Sequence, residues 1–386
     1  MNLLELDREL EEKGLDAYLI RDDASNPGLY YATKFDAPDP VVYLYTPDKD
    51  LLLVSPLEYS RAEEEASVDE VVKTSRYREG DTRENVDARE QIFRAFLEDQ
   101  EIEGIGVPGD FPLKLAEDLR DTQRLETVKD HIMEKRKLKT GEELENIREA
   151  QKATEKAMEH ARSVLKEAEI QGEGLIYREE KLTSELLKRE IKHFLIDEDC
   201  SVPEETIAAS GKDAAKPHAT GSGAIRPGEP VIIDIFPRHD SKYFGDMTRT
   251  FVKGEPDEEV REMYEAVTEA YEKSLKVLST GSGVEASELY GEACDVLEEH
   301  GFSTLRSDPD TDSGFIHSLG HAVGLELHEP PRLSGNSEKL EEGMVLTVEP
   351  GLYVPGVGGV RVEDMVVVKD DGFEKLNSMG RDLEVV

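Results

Sequence analysis

The segment VIIDIFPRHDSKYFGDMTRTFV, residues 231–252, sets Asp234 in the middle of an otherwise apolar, β-prone run. Such a run reads as a buried strand, and a charge inside one must find a partner. A polar turn and a second β-prone run follow, with Asp234 and Asp246 placed symmetrically about Asp240. A hairpin centred there sets the two aspartates opposite one another on one face. Like charges in that position repel. Either Asp234 pairs with an arginine such as Arg238 or Arg249, or a shared cation answers both aspartates.

The same arithmetic recurs near the C-terminus. In MVLTVEPGLYVPGVGGVRVEDMVVV, residues 344–368, Glu349 and Glu363 lie symmetrically about Gly356, again at the ends of β-prone runs. Between the two hairpins, FIHSLGHAVGLELHEPP (residues 315–331) holds His317, His321 and His328, three of the chain's nine histidines. Gly320 and Gly324 flank His321, so the backbone there can bend or approach a ligand closely. Histidine is the commonest metal ligand and the usual acid or base near neutral pH. Four carboxylates match the charge of two divalent cations, and two metals about 3.5–4 Å apart share carboxylates and activate a water between them. Oxygen ligands with one imidazole suit Mn, Fe, Co or Zn better than a soft metal.

Charge excludes one large class of function. The chain has 87 acidic and 47 basic residues among 386, a net charge of −40. Nucleic-acid binding depends on neutralising phosphates with Lys and Arg, so that role is not expected. The acidity is spread along the chain, in stretches such as EEEASVDE and EPDEEVRE, rather than gathered in a tail. Self-repulsion of this size destabilises a compact state at low ionic strength, while at molar salt the Debye length falls to about 3 Å. A salt-rich, halophilic cytoplasm is the expected setting. No segment has the apolar length of a membrane span, and the acidic start MNLLELDRELEEKG differs from a signal peptide. Cys200 and Cys294 offer neither a disulfide framework nor metal-ligand spacing.

The length suggests two domains. DAYLI, VVYLY and LLLVS read as strands separated by turn residues, with helical spacing between them and again over 85–97. Residues 1–128 therefore form a smaller α/β unit, with no metal-binding cluster of their own. Residues 129–139 are the expected linker, and 140–386 the second domain. Thr140 followed by Glu143 is a capping box for a helix running to about residue 166, and a second helix is expected over 179–195. The segment 204–210, EETIAAS, reads as a strand and 211–223 as a loop carrying His218. Helices are expected again over 257–278 and 286–300. Helices and antiparallel hairpins segregate along this region, so its class is α+β.

The motifs IDIFPRHDSKYFGDMTRTF, FIHSLGHAVGLELHEPP, LTVEPGLYV and GVRVEDMVVV resemble those of the pita-bread metallopeptidases, in the branch of Xaa-Pro dipeptidase (prolidase) and aminopeptidase P. The resemblance runs from about residue 140 to the end. More weakly, DAYLIRDDASNPGLYYATKF resembles the start of that branch's N-terminal domain. It implies a pita-bread catalytic domain with an antiparallel sheet and flanking helices, and two divalent metal ions, Mn ahead of Co, Zn or Fe. The metal ligands would be Asp234, Asp246, His321, Glu349 and Glu363. His218, His317, His328 and Arg361 match residues that contact substrate, and His218, His328 and Glu349 would be catalytic. The implied substrates are short proline-containing peptides, and the implied assembly is a homodimer.

On this reading paired cations polarise the scissile carbonyl and acidify a bridging water, and Glu349 passes the water's proton to the leaving nitrogen. His218 and His328 would stabilise the oxyanion; an outer support of a ligand is the equal alternative for His328. Arg361 either binds a substrate carboxylate or is tied to Asp364 or another acid. Two departures from the family pattern bear on substrate choice: one extra residue between Asp234 and Asp246, and Ala219 where glycine is common. A catalytically dead, partner-binding domain and a hydrolase of another C–N bond are the competing functions.

Overall fold

The alternating apolar runs of the N-terminal region assemble as strands around which helices pack on both faces. The computed structural model describes residues 3–78 and 86–384. The chain divides into two compact units, Met1–Arg136 and Lys137–Val386.

In the first unit the strands are β1 (Ala17–Asp22), β2 (Val41–Tyr45), β3 (Asp50–Val54), β4 (Glu70–Lys73), β5 (Gly104–Val107) and β6 (Arg124–Thr127), in the order β4-β3-β2-β1-β5-β6. β1, β2 and β3 form an antiparallel meander, while β4, β5 and β6 join in parallel. The helices are α1 (Leu4–Lys13), α2 (Pro27–Thr33), α3 (Tyr59–Glu65), α4 (Val86–Asp99) and α5 (Leu113–Arg120). Leu6 and Leu10 of α1 pack with Tyr18 and Tyr43 on one face, and Phe93, Phe96 and Leu97 of α4 pack with Leu19 and Leu44 on the other. Residues 86–97 of the expected helix fall within α4, and residue 85 lies outside the described residues. The following segment forms α6 (His131–Lys137), whose Ile132 joins the first unit's core.

The second unit opens on α7 (Gly141–Glu167). Thr140 accepts from the Glu143 N–H at 3.3 Å, and Glu143 accepts from the Thr140 N–H at 2.9 Å, so the expected capping box is present. The next helix differs from expectation. Residues 169–181 form a small sheet of β7 (Glu169–Gln171), β8 (Gly174–Tyr177) and β9 (Glu180–Lys181), and α8 covers only Ser184–Asp197. Arg178 and Glu179 adopt positive φ at a turn, which helical periodicity does not register, and Thr183 supplies the N-cap.

Further on come β10 (Cys200–Ser201), β11 (Ile207–Ser210), β12 (Pro230–Ile235), β13 (Arg238–His239) and β14 (Met247–Val252). Then follow α9 (Glu258–Leu278), α10 (Ala286–Glu299), β15 (Gly320–Ala322) and β16 (Glu329–Leu333). The C-terminal strands are β17 (Val345–Val348), β18 (Gly351–Val354), β19 (Gly358–Arg361), β20 (Asp364–Lys369) and β21 (Gly372–Lys375). α7 and α8 bury their apolar faces against β11-β12-β14, and α9 and α10 against β16-β15-β17-β20-β21. All strand pairings of this unit among the described residues are antiparallel. The architecture is α+β with a smaller α/β unit in front.

One hairpin follows the sequence arithmetic and the other departs from it. β17 pairs with β20, and β18 with β19, in a single register about Gly356, from Val345↔Val367 to Val354↔Gly358. Glu349 and Glu363 fall at the break between the two ladders, at matched positions. In the other hairpin, Asp234 lies opposite Thr248, not Asp246. The connection is not a simple turn: β13 leaves to pair with β10, and the ladder is centred one residue beyond Asp240. Asp246 therefore sits just before β14, outside the ladder.

Candidate metal centre

Asp246 is placed by α7 more than by its own strand. The Gln151 side chain donates to the Asp246 carbonyl at 2.9 Å and accepts from its N–H at 2.8 Å, imitating a ladder pair. Gly245 permits this approach, because a Cβ there would stand 2.3 Å from Thr154 Oγ1 and 2.7 Å from the Ala150 carbonyl oxygen. Gly320 is required for a similar reason, with the Thr347 carbonyl oxygen 2.0 Å from its Cβ position. The glycines beside His321 thus admit protein backbone and side chains. Gly324 makes room for the Glu329 carboxylate, which a Lys139 amine meets at 2.7 Å.

The five candidate ligands come together. Asp246, His321 and Glu363 each offer a ligand atom within 4.8 Å of the others, and all three are buried. His321 Nε2 lies 3.7 Å from Asp246 Oδ2 and 3.5 Å from Glu349 Oε1. Its Nδ1 faces the Ala322 carbonyl at 3.1 Å, so a proton there leaves the Nε2 lone pair turned inward. Thr248 Oγ1 donates to Glu363 Oε2 at 2.8 Å. Asp234 is held by Arg361 through one oxygen, and its Oδ1 is buried without a partner.

Burial sets the proton affinities. It raises Asp246 well above the usual carboxylate range, with the charges of Glu363, Asp234 and Glu349 adding to the effect. Glu363 is raised well above its range for the same reasons. Burial also raises Asp234, against the opposing pull of Arg361. Glu349, pushed up to about 8, follows the same pattern. Burial and the neighbouring His328 lower His321 to about 3. Among the described residues, the four enclosed carboxylates have Arg361 alone as a cation bonded to one of them, and Asp234 Oδ1 bonds to nothing. This oxygen-rich set with an inward imidazole lone pair fits divalent cations in both charge and ligand type.

Arg361 is committed to protein partners. Its Nη2 donates to Asp234, Nη1 to Tyr353 Oη at 2.7 Å and Nε to Thr248 Oγ1 at 3.1 Å. The acid it meets is Asp234, while Asp364 is taken by Arg249 at 2.6 Å. Arg238 donates instead to the Lys242 carbonyl and Arg249 to Asp364. His317 has its Nδ1 on the Ser318 carbonyl at 2.7 Å and its Nε2 on Tyr353 Oη at 3.1 Å, and burial lowers it to about 3. Both of its nitrogens are therefore engaged. His328 is exposed at the rim, its ring centroid 4.4 Å from that of His321. His218 is exposed on its loop, near enough for its charge to bear on His317 and His328.

Sequence reasoning missed Gln151, Thr248, Thr347 and Tyr353, whose roles depend on contacts across elements. It also missed Arg332. This residue faces His321 in the β15–β16 ladder, is exposed, and bears electrostatically on His321 and His328. Its position eleven residues after His321 was the available signal.

A buried carboxylate–imidazole cluster on an antiparallel sheet, backed by helices, defines a metal-dependent hydrolase. Comparison with known proteins makes the class specific. Residues 145–370 match metallopeptidase family M24, and residues 3–136 match the Creatinase/Prolidase N-terminal domain. A Xaa-Pro dipeptidase of Pyrococcus horikoshii is 31% identical over 380 residues, covering 97% of this chain and 96% of the relative. The crystal structure of the prolidase from that organism superposes with a TM-score of 0.81 at 30% identity, covering 99% of both chains. An X-Pro aminopeptidase structure from Thermotoga maritima gives 0.80 at 27% identity, covering 98% of this chain and 99% of the other. The chain belongs to metallopeptidase family M24.

Proposed function

We propose that the protein hydrolyses the bond between an N-terminal residue and a following proline in short peptides, with dipeptides preferred. The convergence of Asp234, Asp246, His321, Glu349 and Glu363 carries this reading, because a degenerate binding domain has no need to keep four carboxylates enclosed. We take these five residues as the ligands of two divalent cations, with Mn as the native metal. Bound cations supply carbonyl polarisation and a water acidic enough to react near neutral pH.

The chain's own residues do the rest. Glu349 lies at the edge of the set, 16% exposed at its side chain, where its carboxylate can take a proton and return it to the leaving nitrogen. An Xaa-Pro nitrogen has no N–H of its own, so that delivery is needed. Partial desolvation of the His328 ring lowers its proton affinity, so that a neutral imidazole can offer an N–H to the developing oxyanion, and His218 lies near enough to bear on it. His317, with both nitrogens occupied, acts by holding Tyr353 and Arg361 in place.

Arg332 supports the dipeptide preference. Among the described residues Arg332 forms no ion pair; it is exposed, stands opposite His321 in the ladder, and its charge bears on His321 and His328. A planar fork there suits a C-terminal carboxylate one residue beyond the scissile bond. Two relatives that span most of the chain are named Xaa-Pro dipeptidase, which points the same way. The net charge of −40 supports a salt-rich cytoplasm as the setting, and membership of the prolidase branch supports a homodimer. No helix among the described residues is long and apolar enough to cross a membrane.

The test compares Ala-Pro, Ala-Pro-Ala and Ala-Ala-Ala at saturating Mn. Ala-Pro should be cleaved fastest, and Arg332→Met should raise its KM more than it lowers kcat. Equal cleavage of Ala-Ala-Ala would refute the proline assignment.

A further inference from the structure

Behind Glu363 lies a second enclosed cluster of charge that hydrolysis does not use. Arg249 and Asp364 both have 0% side-chain exposure. Arg249 Nε donates to the Gly380 carbonyl at 3.1 Å. Its Nη1 donates to the carbonyls of Thr248 at 2.9 Å and Glu363 at 2.6 Å. Its Nη2 donates to Asp364 Oδ1 at 2.6 Å and to the Met379 carbonyl at 3.0 Å. A guanidinium has five N–H donors in a rigid planar fork, and here each has an acceptor. The groups it holds are therefore fixed relative to one another.

Two of those groups belong to the metal centre. The Glu363 N–H donates to the Thr248 carbonyl at 3.0 Å, and the two side chains meet at 2.8 Å. Two others, the carbonyls of Met379 and Gly380, belong to the segment that follows β21. Glu155 on α7 also holds that segment, accepting from the Ser378 N–H at 2.7 Å, the Ser378 hydroxyl at 3.0 Å and the Met379 N–H. A single arginine thus joins the backbone of a candidate ligand to the C-terminal segment.

We propose that Arg249 is a positioning residue for the metal centre, and that residues 378–380, through it, set the affinity for cation. This rests on Glu363 being a metal ligand. An arginine that served the fold alone would change melting temperature and leave the affinity of folded protein untouched.

The experiment strips metal with a chelator and titrates Mn by calorimetry into wild type, Glu363→Gln, Arg249→Lys and Glu155→Ala. Wild type should take two cations and Glu363→Gln should bind weakly. Lysine keeps the charge and loses the fork, so Arg249→Lys should weaken binding by about 10- to 100-fold, the usual cost of losing an outer partner of a ligand. Glu155→Ala, which removes the hydrogen bonds to Ser378 and Met379, should show a smaller loss in the same direction. It carries the test if Arg249→Lys does not fold. Wild-type affinity in the folded Arg249→Lys and Glu155→Ala proteins, with Glu363→Gln impaired, would overturn the proposal. Wild-type affinity in Glu363→Gln would instead overturn the ligand reading on which it rests.

Discussion

Replacing Gln151 with leucine should separate placement of Asp246 from its chemistry. The glutamine is buried, and its amide pairs with both backbone groups of Asp246 at 2.8 and 2.9 Å. Leucine has similar bulk and neither polar atom. The substitution leaves one N–H and one carbonyl unpaired in the interior, each costing about 1–3 kcal/mol. The sum, roughly 2–6 kcal/mol, corresponds to a fall of about 5–20 °C in the melting temperature of a unit this size. Asp246 should also lose its alignment, and cation affinity should drop about tenfold or more. Gln151→Glu keeps the acceptor for the Asp246 N–H and should fall in between. Thermal melts and Mn titration at constant salt measure both effects. A Gln151→Leu protein that melts within about 2 °C of wild type and binds Mn normally would refute the argument that α7 places this ligand.

Glu349→Gln should lower kcat by about 10²–10⁴-fold with little change in KM, and near-normal turnover with metal still bound would assign proton transfer to another group. The rise in melting temperature on adding Mn should grow between pH 5 and 8. Burial lifts Glu349 from 4.5 to about 8, so the cation-free protein keeps this group's contribution below pH 4.5 and loses it as pH rises through 8; a constant gain would refute this. Folding and activity should need high KCl or NaCl, as self-repulsion at −40 requires, and an unchanged melting temperature in dilute buffer would refute it.

What could be read from sequence depended on how locally each feature is encoded. The Glu349–Glu363 register was legible because both arms are β-prone and the glycine-rich tip lies at their midpoint. The Asp234–Asp246 pair was legible as a pair but not in its register, since β13 takes two residues of the connection to a distant strand. The start of α8 was misread because Arg178 and Glu179 turn the chain at positive φ without glycine. Of the acids near it, Asp234 rather than Asp364 is the partner of Arg361, a pairing that depends on a strand remote in sequence. Gln151 carried no signal, and Arg249 was weighed only as a partner of Asp234, because their importance lies in groups from remote segments. In the first unit the strands were plain, while the parallel joining of β4, β5 and β6 came from tertiary pairing.

The shared register of the two C-terminal ladders bears on how this hairpin tolerates changes in length. Pro355 and Gly356 are exposed at the tip, where insertions are generally accepted. Extra residues there lengthen the loop and leave Glu349 and Glu363 facing each other. One residue gained or lost inside either arm is different, because side chains alternate faces along a strand and a single-step slip reverses them. It would turn one glutamate out of the cluster while most apolar contacts could still re-form. Related chains should therefore vary in length around residues 355–357 and keep constant length across 349–354 and 358–363.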